Sequence, residues 1–513
     1  MQADLWNRFS AVSKQMADQP AILQGDHCLS FAELRARATG FAHRLASNGL
    51  PPGGRCIIWA ENSPQMAIAV LGVLAARMIP TIVNAQAPAS HIEHAAGRTG
   101  ALAVATDPAR AEKLGFDGIV FDISGLCRGD LPDASAPQRP DPLATEAGSI
   151  LFTSGSTGLP KGAAQSHANL IWGADAVGRA LGLTHRDRLL GVVPWAFDYG
   201  WGQLLSTFLL GAAQVLPDAR GPIGTCAAIE RHRPTVLPGV PSLYAELIRG
   251  ISPVRETDLS ALRLITNTGS RISDSLFAEI NDLLPHVDIS LNYGLTETYR
   301  SATLPFELAR SKPLSVGTAL PGAAISVLTE AGTEARAGER GEILHRGAGV
   351  FLGYWGDPEK TAEVRRDDPF ADAAHLPRPP AVFTGDIGWK DDDGHLYIEG
   401  RRDRQIKSMG VRVSPDEIEG LIEATGLVKE IAVIGVPHEI VGQQVVAIAA
   451  LKGDAKPTLR ELKKAARQTM SPYMQPMVWH QVDALPRNVN GKVDYPHLNA
   501  LYARPREPQA QPA

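Results

Sequence analysis

The sequence predicts an α/β protein in two parts: a large N-terminal region of parallel and mixed sheets layered with helices, and a small α+β unit near the C-terminal end. Three observations predict it. Short apolar runs alternate with amphipathic stretches through the first part of the chain, as strands alternating with helices do. A length of 513 residues exceeds what one hydrophobic core supports. The pattern then changes near Gly400, where the polar run Arg401-Arg-Asp-Arg404 follows the strand-like Gly394-His-Leu-Tyr-Ile398.

The elements follow in order. Ser30-Phe-Ala-Glu33 is a capping-box pattern that opens an amphipathic helix running to about residue 48. Cys56 to Ala60 is a short apolar strand, and a helix starts after Asn62-Ser-Pro64. Thr81 to Val83, Ala101 to Thr106 and Gly118 to Ile123 continue the series, and the Pro- and Asp-rich stretch Pro132 to Pro142 reads as a surface connection. Past the boundary, placed at 400–404, Ser414-Pro-Asp-Glu417 opens a helix. Strands follow at Ile431 to Val436 and Val445 to Leu451, and a helix covers Thr458 to Gln468. The division is therefore 1–400 and 401–500, with a disordered tail expected at 503–513.

Composition narrows the class. Hydrophobic residues make up 44% and charged residues 20%, ordinary values for a water-soluble globular chain. A net charge of −5 gives no electrostatic reason to expect nucleic acid or an acidic membrane as partner. Cys28, Cys56, Cys127 and Cys226 form no Cys-x-x-Cys pair, which argues against structural zinc and a disulfide framework and fits a reducing compartment. The N-terminal residues lack a basic segment followed by an apolar one. The most apolar stretch, Met66 to Val83, is interrupted by Arg77 and Pro80 and reads as a buried helix running into a strand. A cytoplasmic location is expected.

The stretch from Ile150 to Gly162 carries the first chemical signal. An apolar run ends in Thr153-Ser-Gly-Ser-Thr-Gly158, and Lys161 closes it. Glycines let backbone approach a ligand closely, hydroxyls and amides donate, and one ammonium supplies charge, as a polyphosphate requires. A flexible surface turn is the competing reading of such a composition, and the lysine with its preceding strand favours phosphate. The order Lys161-Gly162-Ala163 excludes a P-loop, which ends Gly-Lys-Ser/Thr.

Four further motifs accompany it: Asn292-Tyr-Gly-Leu-Thr-Glu297, Phe383-Thr-Gly-Asp386, Gly400-Arg-Arg-Asp-Arg-Gln-Ile-Lys-Ser-Met-Gly410 and Pro486-Arg-Asn-Val-Asn-Gly-Lys492. In order and spacing the set resembles the signature motifs of the adenylate-forming superfamily of acyl-CoA synthetases, peptide-synthetase adenylation domains and luciferases. The resemblance extends from about Trp6 to Tyr495. It implies a β-barrel-like subdomain within the large region and a mobile small domain. It also implies a two-step reaction, in which a carboxylic acid is joined to AMP with loss of pyrophosphate and a thiol then displaces AMP to give a thioester. ATP, Mg²⁺ and CoA, or the phosphopantetheine of a separate carrier protein, are the implied co-substrates.

The resemblance also implies roles. Thr153, Ser154, Gly155, Ser156, Thr157, Gly158 and Lys161 would hold the β- and γ-phosphates, Thr296 would touch the α-phosphate, and Glu297 would ligate Mg²⁺. Tyr293, in the Asn292-Tyr293-Gly294 turn, would stack on adenine with Asn292 near the base edge. Asp386 would accept the ribose hydroxyls, with Arg401 as a second ribose contact. Lys492 would reach the carboxylate and α-phosphate during adenylation. Asp403 matches the hinge position, and a rotation there would bring the Lys407 to Gly410 loop to the site for thiol attack.

The acid would sit near Pro194-Trp-Ala-Phe-Asp-Tyr-Gly200, with Gly239 and Gly269 on other walls. Phe197-Asp198 resembles the Phe-Asp pair of amino-acid-activating domains, whose Asp pairs with the substrate ammonium. A carboxylate in an apolar pocket is costly without a cation, so Asp198 points to an amine-bearing substrate. Alternatively it caps a helix starting near Tyr199, and both readings stand. Trp195, Tyr199 and Trp201 could narrow the cavity or simply fill the core. No Gly-x-Asp-Ser attachment site follows Lys492, so the thiol is expected from a separate molecule: CoA first, a carrier protein as the alternative.

Overall fold

A computed structural model describes residues 4–129, 131, 136–153, 160–269, 271–372, 374, 377–408, 411–438, 442–453, 458–470, 474–488 and 491–502. The expected elements form where local chemistry places them. Ser30 and Glu33 close a complete capping box on the helix Phe31–Ser47, and Ser63 caps the helix Pro64–Ala75, which is buried along almost its whole length. These two helices pack so closely that a Cβ on Gly72 would lie 2.7 Å from the Phe41 ring. The apolar stretch Met66 to Val83 is thus a core helix followed by the strand Ile79–Val83, and no helix among the described residues is long and apolar enough to cross a membrane.

Two sheets build the large region. One has seven strands, with Ile79–Val83, Arg55–Trp59, Ala103–Thr106 and Ile119–Asp122 parallel, and Ala147–Thr153 paired antiparallel with Lys161–Ser166. The other has fourteen. Its parallel part includes Ala213–Leu216, Arg188–Leu190, Val236–Gly239, Leu264–Asn267 and Asp288–Tyr293. At Asp288–Tyr293 the pairing turns antiparallel, continuing through Ala302–Thr303, Ser315–Ala319, Leu396–Arg401, Pro380–Lys390, Gly341–Gly347 and Ala323–Leu328. Among the described residues these antiparallel pairings form an open path, so the barrel-like part does not close on itself.

A third, five-stranded sheet begins at Ile406–Ser408, just beyond the predicted boundary. The helices Pro415–Glu423 and Leu459–Thr469 bury one face of it through Ile418, Ile422, Leu462 and Ala466, while Leu498 of Tyr495–Tyr502 packs on the other. Trp195 and Trp201 are fully buried with Phe9, Phe31 and Phe208, so both fill the core. All four cysteines are free thiols, and burial pushes Cys56 up to about 12.

Two buried histidines tie distant segments. His345 bonds Ser301 Oγ at 2.9 Å and the Ala348 carbonyl at 2.7 Å, and His167 Nδ1 accepts the Leu5 amide. Burial pulls both imidazoles down to about 4. The unfolded chain, with histidines near 6.5, therefore binds the proton first. Stability is unaffected by these groups above about pH 6.5 and falls as pH drops from there towards 4. Urea midpoints measured across that window should fall with pH, and His345→Gln should flatten the slope.

Candidate active site

The sheet's change from parallel to antiparallel assembles the first cluster. Parallel strands present their C-terminal ends on one edge, where α/β folds place ligands. Tyr293 ends the last parallel strand, and its hydroxyl donates to Asp386 Oδ2, which is supplied by an antiparallel strand. Asp386 faces Arg401 across the Asp386–Arg401 strand pair. Arg401 Nη1 donates to the Thr384 carbonyl at 2.7 Å and lies 3.4 Å from Asp386 Oδ1. Burial and the Asp386 carboxylate hold the Tyr293 hydroxyl protonated, well above its ordinary value. Three residues from three motifs thus meet. Asn292 takes a different place: its amide donates to the Asn267 and Ser290 carbonyls at 3.1 Å and accepts from Thr303 Oγ at 2.9 Å. It ties strand ends together.

The turn after Tyr293 carries the second cluster. Gln165 Nε2 holds the Thr296 carbonyl at 3.0 Å, and the Phe351 amide donates to the Glu297 carbonyl at 3.0 Å. The Glu297 carboxylate accepts from the Tyr354 hydroxyl, and Lys161 Nζ lies 5.2 Å from the centre of the same ring. Tyr354, absent from the sequence-based candidates, therefore links the phosphate-loop lysine to the acid expected to hold Mg²⁺. No spacing rule announces a tyrosine 57 residues from its partner. The described part of the loop is its frame, Thr153 opposite Lys161; Ser154, Gly155, Ser156, Thr157 and Gly158 lie outside the described residues, as does the Thr153 side chain. A Mg²⁺ between phosphates takes few protein carboxylates and mostly phosphate and water oxygens, so Glu297, joined to Lys161 through the Tyr354 ring, fits it. A second group of possible ligands, Asp391, Asp393 and His395, already surrounds the Lys312 ammonium, which donates to both carboxylates at 2.7 Å.

The third cluster surrounds Asp198. The helix Asp198–Leu210 has Phe197 at its cap position, so Asp198 is its first residue. Its carboxylate lies in the first turn, where the helix dipole favours an anion. Burial raises its proton affinity. The charges of Lys492 and then Arg300 oppose that rise, and Glu297 adds to it. Lys492 comes from a hairpin in which Asn488 and Lys492 bond each other twice, turned by Gly491 at φ +73°. Charges from distant parts of the chain thus act on one carboxylate. Gly239 ends its strand against the Tyr244 ring, and Gly269 adopts φ +86° beyond the adjacent strand end. Tyr199 is anchored to the Thr266 carbonyl at 2.7 Å.

Arg404 ties the end of the linker into the small unit. Its guanidinium donates to Asp416 and to Glu419 at 2.9 Å and stacks 3.7 Å above the Tyr495 ring, whose hydroxyl donates to Glu419 at 2.9 Å. Arg402 reaches back to Glu342 at 2.8 Å. The Asp403 and Lys407 side chains and Gly410 lie outside the described residues.

The sequence of the chain matches known proteins along nearly its whole length. A family model described as AMP-binding enzyme matches residues 9–355, and one described as AMP-binding enzyme C-terminal domain matches 417–492. The 2-succinylbenzoate–CoA ligase of Geobacillus kaustophilus is 30% identical over 476 residues, covering 92% of this chain and 93% of that protein. Tyrocidine synthase 3 of Brevibacillus parabrevis is 28% identical over 93% of this chain, which spans 7% of that much longer protein. The ATP-bound MatB structure from Rhodopseudomonas palustris gives a TM-score of 0.86 at 29% identity, covering 98% of this chain and 99% of that one.

Removing Arg404 would leave two carboxylates in a largely buried site without their counter-charge. Arg404→Met should cost about 2–3 kcal/mol of stability in the small unit, read by urea unfolding.

Proposed function

The chain belongs to the AMP-binding enzyme family, and we propose how its own residues divide the family's work. The enzyme is an AMP-forming acid–thiol ligase acting with ATP, Mg²⁺ and CoA. A carboxylate oxygen of the acid attacks the α-phosphorus, the bond to the β-phosphate oxygen breaks, and pyrophosphate leaves. The CoA sulfur, its proton lost, then attacks the acyl carbon, and AMP departs with the bridging oxygen.

The first step brings two anions together, so its barrier is electrostatic. Lys492 would stand between the carboxylate and the α-phosphate. Lys161 and the loop from Thr153 to Gly158 would grip the outer phosphates, and Thr296 would touch the inner one. Glu297 would hold Mg²⁺, which when bound supplies positive charge to the phosphates. Tyr293, Gly294, Asp386 and Arg401 would form the nucleoside site, with Asn292 supporting its floor. The observation that carries this reading is the meeting of Tyr293, Asp386 and Arg401, which belong to three different motifs. Asp403 would be the hinge between units dividing at 400–404. Rotation there would withdraw Lys492 and present the Lys407 to Gly410 loop to the thiol. We assign the enzyme to the cytoplasm.

Asp198 alone favours an amino-acid substrate and loading of a separate carrier protein. Arg300 favours the CoA ligase, because its positive charge already acts on Asp198 and lessens the need for a cation on the substrate. ATP–pyrophosphate exchange across fatty, aryl, oxygenated and amino acids decides between them: exchange confined to amino acids would overturn the CoA-ligase reading.

Lys492→Ala should lower adenylation about 10²–10³-fold while leaving transfer from a supplied acyl-adenylate to CoA largely intact. Equal loss of both half-reactions in stopped assays would refute the two-conformation scheme.

A further inference from the structure

Arg300 is only 6% exposed, lies three residues beyond Glu297, and has no part in the phosphate and ribose contacts assigned to the nucleotide. Its guanidinium carbon sits 5.4 Å from the centre of the Tyr199 ring, and its charge reaches Asp198. Nη1 makes no hydrogen bond. A guanidinium carries five N–H donors, and leaving one buried and unpaired forfeits a charge-assisted bond. The backbone just before it is also unusual. Tyr299 adopts φ +61°, a left-handed conformation that costs a non-glycine residue energy. Its ring is wedged where a Cβ on Gly173 would lie 2.4 Å away, and its hydroxyl donates to the Gly202 carbonyl at 3.4 Å. The strained turn aims the following side chain towards Tyr199 and Asp198, at the start of the helix expected to wall the acid pocket.

We propose that Arg300 is a specificity-determining residue whose free Nη1 donates to an oxygen substituent on the acid, so that the enzyme activates carboxylic acids bearing a second oxygen function rather than plain hydrocarbon acids. This rests on the acid–CoA ligase reading and narrows it. Glu297 and Lys492 attend to ATP and the reacting carboxylate, which leaves Asp198 and Arg300 as the charged pair beside the rest of the acid. The two make no ion pair among the described residues, so each keeps bonding capacity. A hydrocarbon tail would leave the Arg300 Nη1 buried without an acceptor. An oxygen acceptor, whether a carboxylate or a hydroxyl or keto oxygen, satisfies the guanidinium.

The test is ATP–pyrophosphate exchange with matched acids: butanoate, 4-hydroxybutanoate and butanedioate; octanoate, 8-hydroxyoctanoate and octanedioate; benzoate, 4-hydroxybenzoate and benzene-1,4-dicarboxylate. Within any accepted set, kcat/KM for an oxygenated member should exceed that for the plain acid at least about tenfold, the effect of one hydrogen bond to a charged donor. Arg300→Met should bring that ratio close to one, and Arg300→Lys should restore part of it. A carboxylate partner would show as preference for the dicarboxylate, and a neutral partner as preference for the hydroxy acid. Preference of the wild-type enzyme for the plain acids would overturn the inference and leave the ligase reading standing, and it needs no variant to fold. Equal loss on all acids in Arg300→Met, with no recovery of the ratio in Arg300→Lys, would also overturn it by marking a structural role. Exchange with none of these acids but with amino acids would remove the ligase reading itself.

Discussion

A carboxylate drawn partly away from water favours nearby cations, and at Asp198, half-buried at the head of its helix, that preference organises the site. The residue starts a helix, and the positive charges of Lys492 and Arg300 act on it. One arrives from a small unit attached by a single linker; the other comes from a strained turn beyond the last parallel strand. Losing either cation would raise the proton affinity of Asp198 further. The same pocket therefore depends on the packing of the small unit and on the backbone conformation at Tyr299.

The positions of these groups follow from one topological event. While the large sheet is parallel, strand ends line up on one edge; at Asp288–Tyr293 it becomes antiparallel, and later segments return alongside. That return brings Asp386 and Arg401 to Tyr293, although 93 residues separate Tyr293 from Asp386 in sequence. Arg404, held by Asp416, Glu419 and Tyr495, makes the far side of the linker part of the small unit, while Arg402 holds the near side to Glu342. Asp403 thus lies in sequence between two anchored arginines.

Much of this was legible in the sequence because it rests on local chemistry. Ser30 with Glu33, Ser414 before Glu417 and Thr458 with Glu461 mark helix starts, since capping is settled within four residues. The short apolar runs became strands within a few residues of their expected limits. Legibility failed where a residue's partner is remote. Tyr354 gives no sign that its hydroxyl will meet Glu297, and Asn292 looks like a ligand contact until its amide is seen tied to Asn267 and Ser290. Trp195 and Trp201 could have lined a cavity or filled the core, and packing alone chose the core.

The sequence by itself determined the family, the order of elements and the residue types for adenylation, because motif chemistry and helix capping depend on neighbours a few residues apart. Only the tertiary structure decided which charges face Asp198. Burial and electrostatic compensation depend on distance in space, and residues 198, 300 and 492 become neighbours only when the chain is folded.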